Sequence, residues 1–300
     1  MTEKIPKSKD GEKMRNTLLG KIASEYDGLS KSHKKIADYI LENYDKAAYM
    51  TACSLGESTD ISESTVVRFA TSLGFEGYPE FQKKLQENIK NKLTAIQRVN
   101  LATDRFGKDT NILTGVLAND INMIRQTEKS MSYDTLKQAA KLINKANKIY
   151  ILGVRSSACL AGFMSFYLSY AYDDVILIDS NSDSEIFEQS FKITPNDVCV
   201  AISFPRYSRQ TIKALDYISS KSANIIAITD SESSPIASYA QITLTAKSNM
   251  ASFVDSLVAP MSVINALIVE ATKDKQSKLL DTFETLEEVW EKYHIYEEDV

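Results

Sequence analysis

Beyond Lys141 the chain falls into five short apolar, β-branched runs: KIYILGV (148–154), VILI (175–178), VCVAISF (198–204), NIIAIT (224–229) and QITLT (241–245). Helical patterns separate them. A run that is apolar at nearly every position has both faces buried, which is how parallel strands read when helices cover the sheet on two sides. The intervals between runs, about 20–30 residues, suit right-handed βαβ crossovers. The expectation for this half is an open parallel sheet.

In such a sheet, ligands bind beyond the carboxyl ends of the strands. The first run is followed by Gly153-Val154-Arg155-Ser156-Ser157 and the third by Ser203-Phe204-Pro205-Arg206-Tyr207-Ser208-Arg209, each leading into a helix. The fourth is followed by Thr229-Asp230-Ser231. Hydroxyls beside the free N–H groups of a helix start make an anion site, and phosphate is the usual anion. Taken singly, Ser156 or Ser208 also has a plain reading as a helix cap, and Arg206 and Arg209 as solvated charges, each the lesser alternative. Asp179 stands where a dinucleotide fold binds ribose, but GVRSS lacks the three glycines a pyrophosphate needs, so no nucleotide is expected.

The first ninety or so residues have a different rhythm, helical throughout from Leu18 to about Asn91. A helix starts at Ser30 or Ser32, with Ile36, Ile40 and Tyr44 facing inward, and a short one covers Thr51–Ser58. The next runs from Ser62 to Leu73. Its apolar stripe is Val66, Phe69, Ala70 and Leu73, and its other side shows Ser64, Thr65, Arg68, Thr71 and Ser72, hydroxyls around one guanidinium with no carboxylate. Ser62 is placed to cap it and Gly74 to end it in the left-handed conformation. A further helix follows Gly77, with Pro79 in its first turn. Short helix, tight turn, short helix is the form of a helix-turn-helix whose second member enters a DNA groove. On this stretch alone, an ordinary amphipathic packing helix reads as well.

Charge helps to decide. Residues 1–108 hold 18 Lys/Arg and 15 Asp/Glu, whereas residues 109–300 hold 17 and 25, a mildly basic front on an acidic back. That division suits a DNA-reading head on a body with another task, while the net charge of −5 argues against nonspecific coating of nucleic acid. Cys53, Cys159 and Cys199 are widely spaced among apolar neighbours and read as reduced thiols, without disulfide or zinc spacing. The polar N-terminus is no signal peptide, and the best uncharged run, Ser256–Val269, is too short to span a membrane. A cytoplasmic chain is expected, with residues 1–15 and the terminal EEDV disordered or frayed.

These residues together resemble the RpiR (MurR/RpiR) family of bacterial transcription regulators. STVVRFATSLGFEGYPEFQ is similar to that family's recognition helix and its exit, and GVRSS, VAISFPRYSRQTIKAL, IIAITDSESSPIA and SFVDS resemble its sugar isomerase (SIS) domain. The implied fold has two domains, an all-α helix-turn-helix head and an α/β SIS domain with a flavodoxin-like five-stranded parallel sheet carrying helices on both faces. The expected boundaries are 16–92 for the head, 93–110 for a linker, 111–275 for the SIS domain and 276–300 for a C-terminal helix and tail. In that helix Leu279, Phe283, Leu286 and Trp290 share one side, expected to pack on the SIS domain or a partner subunit.

The resemblance implies a regulator of sugar-metabolism genes that binds a double-stranded DNA operator, with a sugar phosphate or related anionic sugar as effector. Ser62, Ser64, Thr65 and Arg68 are expected at base edges or phosphates, and Lys34, Lys35 and Lys83 at the DNA backbone. The effector would be held by Ser156 or Ser157, Ser203 and Ser208. Where the family pattern reads Gly-x-Gly-x-Ser, Arg155 replaces the second Gly. Where it reads Ser-x-Ser-Gly-x-Thr, Pro205, Arg206, Tyr207 and Ser208 occupy the last four places. Arg155, Arg206 and Tyr207 therefore join the expected ligand residues. An Arg fork suits phosphate or carboxylate.

A homodimer or higher homo-oligomer is expected, because operators are usually paired half-sites. The helix at 110–127, with Leu113, Val116, Leu117, Ile121 and Ile124 on one side, and that at 252–272 are the candidate pairing surfaces. No cofactor, metal or catalytic residue is expected. The alternatives are a phosphosugar isomerase, or a regulator whose SIS domain only dimerises. Isomerisation needs a base near the sugar carbon; His33 and His294 are not near a strand end, which leaves Glu185 and Glu188.

Overall fold

The computed structural model describes residues 18–89, 93–99, 111–249 and 253–296. The expectations for residues 1–15, for EEDV and for most of the linker lie outside these. The chain divides into two compact units, Met1–Lys108 and Asp109–Val300.

The first unit is helical: α1 (Leu18–Glu25), α2 (Lys31–Glu42), the single turn α3 (Tyr44–Ala47), α4 (Ala52–Thr59), α5 (Glu63–Ser72) and α6 (Tyr78–Ile89). Ser30 caps α2 by accepting from the His33 N–H, and Thr51 caps α4 by accepting from that of Ser54. Ile36 and Ile40 are fully buried. The helix breaks at Asn43, so Tyr44 belongs to the next turn and is only half-buried rather than continuing the inward row. Val66, Phe69, Ala70 and Leu73 carry the buried side of α5, and the Phe69 ring meets that of Phe81 edge-on at 5.8 Å. A ring buried in this way contributes on the order of 1.5–3 kcal/mol. Of the stretch read as linker, residues 95–99 are helical and both Leu93 and Arg98 are buried.

The second unit holds α7 (Ile112–Ser130), α8 (Tyr133–Lys145), β1 (Ile149–Leu152), α9 (Ala158–Leu168), β2 (Val175–Ile178), α10 (Asp183–Ser190), β3 (Val198–Ile202), α11 (Arg209–Ser220), β4 (Asn224–Thr229), β5 (Ile242–Thr245), α12 (Val258–Thr272) and α13 (Gln276–Tyr293). All strand pairs are parallel, in the order β2-β1-β3-β4-β5. Alternate residues of one strand enter different cores: Ile149, Ile151, Val198, Val200, Ile226 and Ile228 point to one face, and Tyr150, Leu152, Cys199, Ala201, Ile225 and Ala227 to the other. That is why these runs are apolar at every position. Burial pushes the Cys199 thiol up to about 12, leaving it a packing residue.

Of the two helices read as candidate pairing surfaces, one has its apolar face covered and the other does not. The helix read at 252–272 starts at Val258, and its apolar side (Ala259, Val263, Ile264, Leu267, Ala271) is spent on the sheet core, so it is not a free pairing surface. On α7 only Met123 and Thr127 are buried; Leu113, Leu117, Ile121 and Ile124 remain exposed. The C-terminal helix α13 lies against the end of α9. Thr282 Oγ1 donates to the Tyr170 carbonyl at 3.2 Å and Phe283 packs on the Tyr170 ring at 5.0 Å. Among the described residues no helix is long and apolar enough to cross a membrane.

Candidate functional site

Helices α4 and α5 make the tight pair in the first unit. Asp60 ends α4 in the left-handed conformation (φ 54°), and the Ile61 N–H returns to the Gly56 carbonyl at 2.9 Å. A Cβ on Gly56 would lie 2.5 Å from the Ile61 carbonyl oxygen, so only glycine lets the turn close here. Gly74, at φ 87°, ends α5 as expected, and the Phe75 N–H reaches the Ala70 carbonyl. Lys21, which sequence reading passed over, donates to the Leu73 carbonyl at 2.7 Å. That places a cation at the negative end of the helix dipole and fastens α5 from behind.

The outer face of α5 is a bonded network. Ser62 occupies the cap position but makes no cap bond to the backbone, which corrects the expected role. Its Oγ instead lies 2.9 Å from Thr65 Oγ1 and 3.2 Å from Ser64 Oγ. Arg68 donates from Nη2 to Thr65 Oγ1 at 3.1 Å and from Nε to the Ser64 carbonyl at 3.4 Å. Ser62, Ser64 and Arg68 are exposed and Thr65 is half-buried. Glu63, absent from the sequence reading of this face, is exposed in the first turn beside them. Lys35 and Lys83 are exposed, while Lys34 lies over the Tyr26 ring at 5.2 Å. His33 contacts Phe69 edge-on at 5.5 Å; burial and then the Arg68 charge hold its imidazole below the usual range.

In the second unit, β1 and β3 are neighbours, with Leu152 opposite Ala201. Residues 153–157 and 203–208 therefore leave adjacent strands at the same edge. Gly153 is required by close approach, since a Cβ there would stand 2.7 Å from both the Ala161 methyl and the Ser157 carbonyl. Residues Arg155–Ser157 form a 3₁₀ turn that runs straight into α9. Arg155 has φ 56° and Arg206 φ 68°, so each arginine keeps the left-handed backbone that favours glycine, at a cost of about 1–2 kcal/mol.

Arg155, Ser156 and Arg206 are exposed, and Tyr207 and Ser208 half-buried. Ser157 and Ser203 are 5% and 4% exposed, and among the described residues neither hydroxyl has a hydrogen-bond partner. The hydroxyl of Thr211, in the first turn of α11, is likewise buried without one. For Thr211, whose hydroxyl is also shut off from solvent, this costs about 1–3 kcal/mol unless something supplies the bond. Ser208 caps α11 by accepting from the Gln210 N–H, and Gln210 Nε2 donates to the Asn181 carbonyl at 2.5 Å. Tyr207 donates its hydroxyl to Asp230 Oδ1 at 2.5 Å, pinning the loop after β3 to the end of β4. Gln210 and Thr211 were missed as site residues, and Asp230 was read only as part of the loop after β4, because nothing in the spacing signals the contacts of Gln210 with Asn181 and of Tyr207 with Asp230. Glu185, a possible base, accepts from Ser180 in a short hydrogen bond. His33 belongs to the first unit, and His294 ends α13.

The helix-turn-helix model of the rpiR family matches residues 16–92, and the SIS domain model matches residues 142–270. An uncharacterized HTH-type transcriptional regulator of Haemophilus influenzae is 28% identical over 229 residues, 76% of this chain and 78% of its own. The HTH-type transcriptional regulator HexR of Escherichia coli is 25% identical over 280 residues, covering 90% and 93% of the two chains. Among solved structures, the Vibrio vulnificus NanR protein complexed with ManNAc-6P has the same fold, with TM-score 0.53 and 19% identity over 91% of this chain and 98% of that one.

Proposed function

The chain belongs to the RpiR family of transcriptional regulators, with a helix-turn-helix head and a SIS domain, and from this premise we propose that it is a cytoplasmic homodimer whose affinity for operator DNA upstream of sugar-metabolism genes changes when an anionic sugar, in the first instance a sugar phosphate, binds the SIS domain. The observation that carries the proposal is the placing of Ser157 and Ser203, two largely buried serines, at the ends of adjacent strands, where no described side-chain hydrogen bond engages either hydroxyl. Phosphate oxygens accept from such hydroxyls and from the free N–H groups at the starts of α9 and α11. The Vibrio vulnificus NanR protein, whose fold this chain shares, is complexed with ManNAc-6P, a ligand of that chemical class.

On the DNA side, Ser62, Ser64, Thr65 and Arg68 meet the groove, and Lys34, Lys35 and Lys83 set register on phosphates. Pairing uses the exposed apolar stripe of α7 (Leu113, Leu117, Ile121, Ile124), which no part of the described unit covers. The effector must favour one arrangement of the paired heads by about 1–3 kcal/mol to change occupancy. No turnover is proposed: Glu185 is engaged by Ser180, Glu188 is exposed on α10, and neither His belongs to a strand-end loop.

The test has two arms. Arg68→Ala should weaken binding to a duplex enriched from a random library by the unaltered protein, and flatten its dependence on log salt by about one phosphate contact. In a melting screen against sugar phosphates, amino sugars and sugar acids, the true effector at about 100 times its Kd should stabilise by about 2.7 kcal/mol, a rise on the order of 5–10 °C for a unit of this size. Unchanged operator binding in Arg68→Ala refutes the reader, and a panel without any response refutes the sensor.

A further inference from the structure

We infer that the C-terminal helix α13 and the aromatic end of α9 form a second self-pairing face, on which two copies of the chain meet with their α13 helices antiparallel. Other helices than α7 carry this face, and it does not depend on the α7 stripe. None of the 18 residues of α13 is buried. Yet Leu279, Phe283, Leu286, Trp290 and Tyr293 follow one another at spacings of 4, 3, 4 and 3, the seam that two helices bury by knobs-into-holes packing. A helix in a protein gains most of its stability from burying such a stripe. Its own unit fastens α13 in the first half, through the Phe283 ring on Tyr170, Thr282 donating to the Tyr170 carbonyl, and Lys278 on Asp173 at 2.8 Å. Beyond these contacts Val289, Tyr293, Ile295 and Tyr296 stand exposed.

The apolar surface continues past the helix. Phe283 meets Tyr170 at 5.0 Å, and Tyr170 meets Phe166 at 5.2 Å and Tyr167 at 6.5 Å between ring centroids. Phe166 and Tyr167 are 56% and 44% exposed. An aromatic side chain carries about 150–250 Å², so the half-exposed rings and the seam leave on the order of 600–800 Å² of apolar surface per copy. That approaches the roughly 800 Å² per partner of a standard interface.

Charge selects the occupant and its direction. Lys273, Lys275 and Lys278 gather at the start of α13 beside Asp274 and Asp281, whereas Glu284, Glu287, Glu288 and Glu291 crowd its carboxyl half beside Lys292. This is the wrong sign for the helix's own dipole, which favours carboxylates at the start and cations at the end. A second copy laid antiparallel brings its lysine-bearing start beside this acidic end, and two-fold symmetry repeats the match at the other end. It also sets Leu279 of each copy beside Trp290 and Tyr293 of the other. A parallel copy would set four glutamates against four. Together with the pairing through α7 proposed above, this face makes a dimer of dimers with four heads, enough for two operators of paired half-sites.

The experiment measures the mass of the full chain in solution, by light scattering and sedimentation across a micromolar concentration series. The parent should assemble to four copies. Val289→Lys/Tyr293→Lys removes two exposed apolar groups and sets lysines against the lysine-bearing start of the second copy. Lysine near a helix end suits the dipole, so helix content should be kept, and circular dichroism checks it. This variant should stop at two copies, with the Kd between pairs raised at least tenfold. Phe166→Lys, which lies on α9 and leaves α13 unaltered, should act in the same direction. Leu117→Lys/Ile121→Lys on α7 should also stop at two copies, now joined through α13. Direction is read in a Cys53→Ser/Cys159→Ser background, where Leu279→Cys and Tyr293→Cys proteins should be bridged by a short bismaleimide when mixed and neither to itself. A mass unaltered in the α13 or α9 variant overturns the inference and leaves pairing through α7 standing. Pairs lost in the α13 variant but kept in the parent and the α7 variant uphold this face and refute α7. Bridging of either cysteine protein to itself overturns the antiparallel arrangement, and a parent that stays single at every concentration overturns both pairings.

Discussion

Replacing Gly56 with alanine is the sharpest test of how the reader is held. The new methyl would meet the Ile61 carbonyl oxygen at 2.5 Å and the Glu63 nitrogen at 3.4 Å. A comfortable C···O approach is about 3.3–3.6 Å, so the turn must retreat by roughly 0.8 Å. Because both neighbours are backbone of the turn leading into α5, the retreat carries the reader helix with it. Overpacking of this kind costs about 1–3 kcal/mol. Loosening the 2.9 Å bond between Ile61 and Gly56 costs about 1 kcal/mol more, while the better helix propensity of alanine returns about 1 kcal/mol. The net is a loss of about 1–3 kcal/mol, or a fall on the order of 5–20 °C for a unit of this size. Calorimetry of the full chain should show the head transition moving and the SIS transition unmoved, with operator affinity reduced about tenfold in fluorescence anisotropy. Gly28→Ala, where a Cβ meets nothing within 4 Å, is the control and should stay within about 0.5 kcal/mol of the parent. A Gly56→Ala protein whose head melts at or above the parent temperature refutes the reasoning.

Two further outcomes follow from named positions. Gly162 lies inside α9 with open space where a Cβ would stand, so Gly162→Ala should raise the SIS-unit melting free energy by up to about 1 kcal/mol; a loss in calorimetry would mean the face is covered. His33 is held below its usual pKa by burial and then by Arg68. Its neutral form is favoured in the folded head, so its stabilising contribution is full above about pH 6.5 and is lost as pH falls through the lowered pKa. Urea titrations from pH 7.5 to 5.5 should show head stability declining, and His33→Gln should reduce the slope; an unchanged slope contradicts this assignment.

The sheet was legible because burial on both faces writes itself into consecutive residues: all five runs became strands, and β1, β2, β3 and β4 each split their side chains between two cores, while β5 gives Ile242 and Leu244 to one of them. The stripe of α5 was legible for the same reason at helical period. What escaped reading depends on contacts between distant segments. Apolar periodicity marks α7 and α12 alike, yet α12 spends its face on the sheet while α7 keeps Leu113 and Leu117 exposed. The expected cap at Ser62 was lost to its neighbours' hydroxyls, a competition that a cap preference cannot register. Lys21 on Leu73 and Tyr207 on Asp230 span 52 and 23 residues, and no local pattern announces them. The two arginines were visible as departures from a glycine pattern; that the backbone kept the glycine conformation beneath them was not.

The hydroxyl network on α5 makes the reader a cooperative surface. Arg68 can only donate, and its bond to Thr65 occupies a Thr65 lone pair. Thr65 pairs in turn with Ser62, and Ser62 with Ser64, and in each pair either hydroxyl can be the donor. When the guanidinium leaves for DNA, a Thr65 lone pair is released and the three hydroxyls can re-pair around it. One face can thereby offer donors or acceptors to a base edge, and the choice at one residue constrains the next. The binding energies of Arg68 and Thr65 are for this reason not separable quantities: a double substitution will cost a different amount from the sum of its parts, and operator preference is a property of the network rather than of any side chain in it.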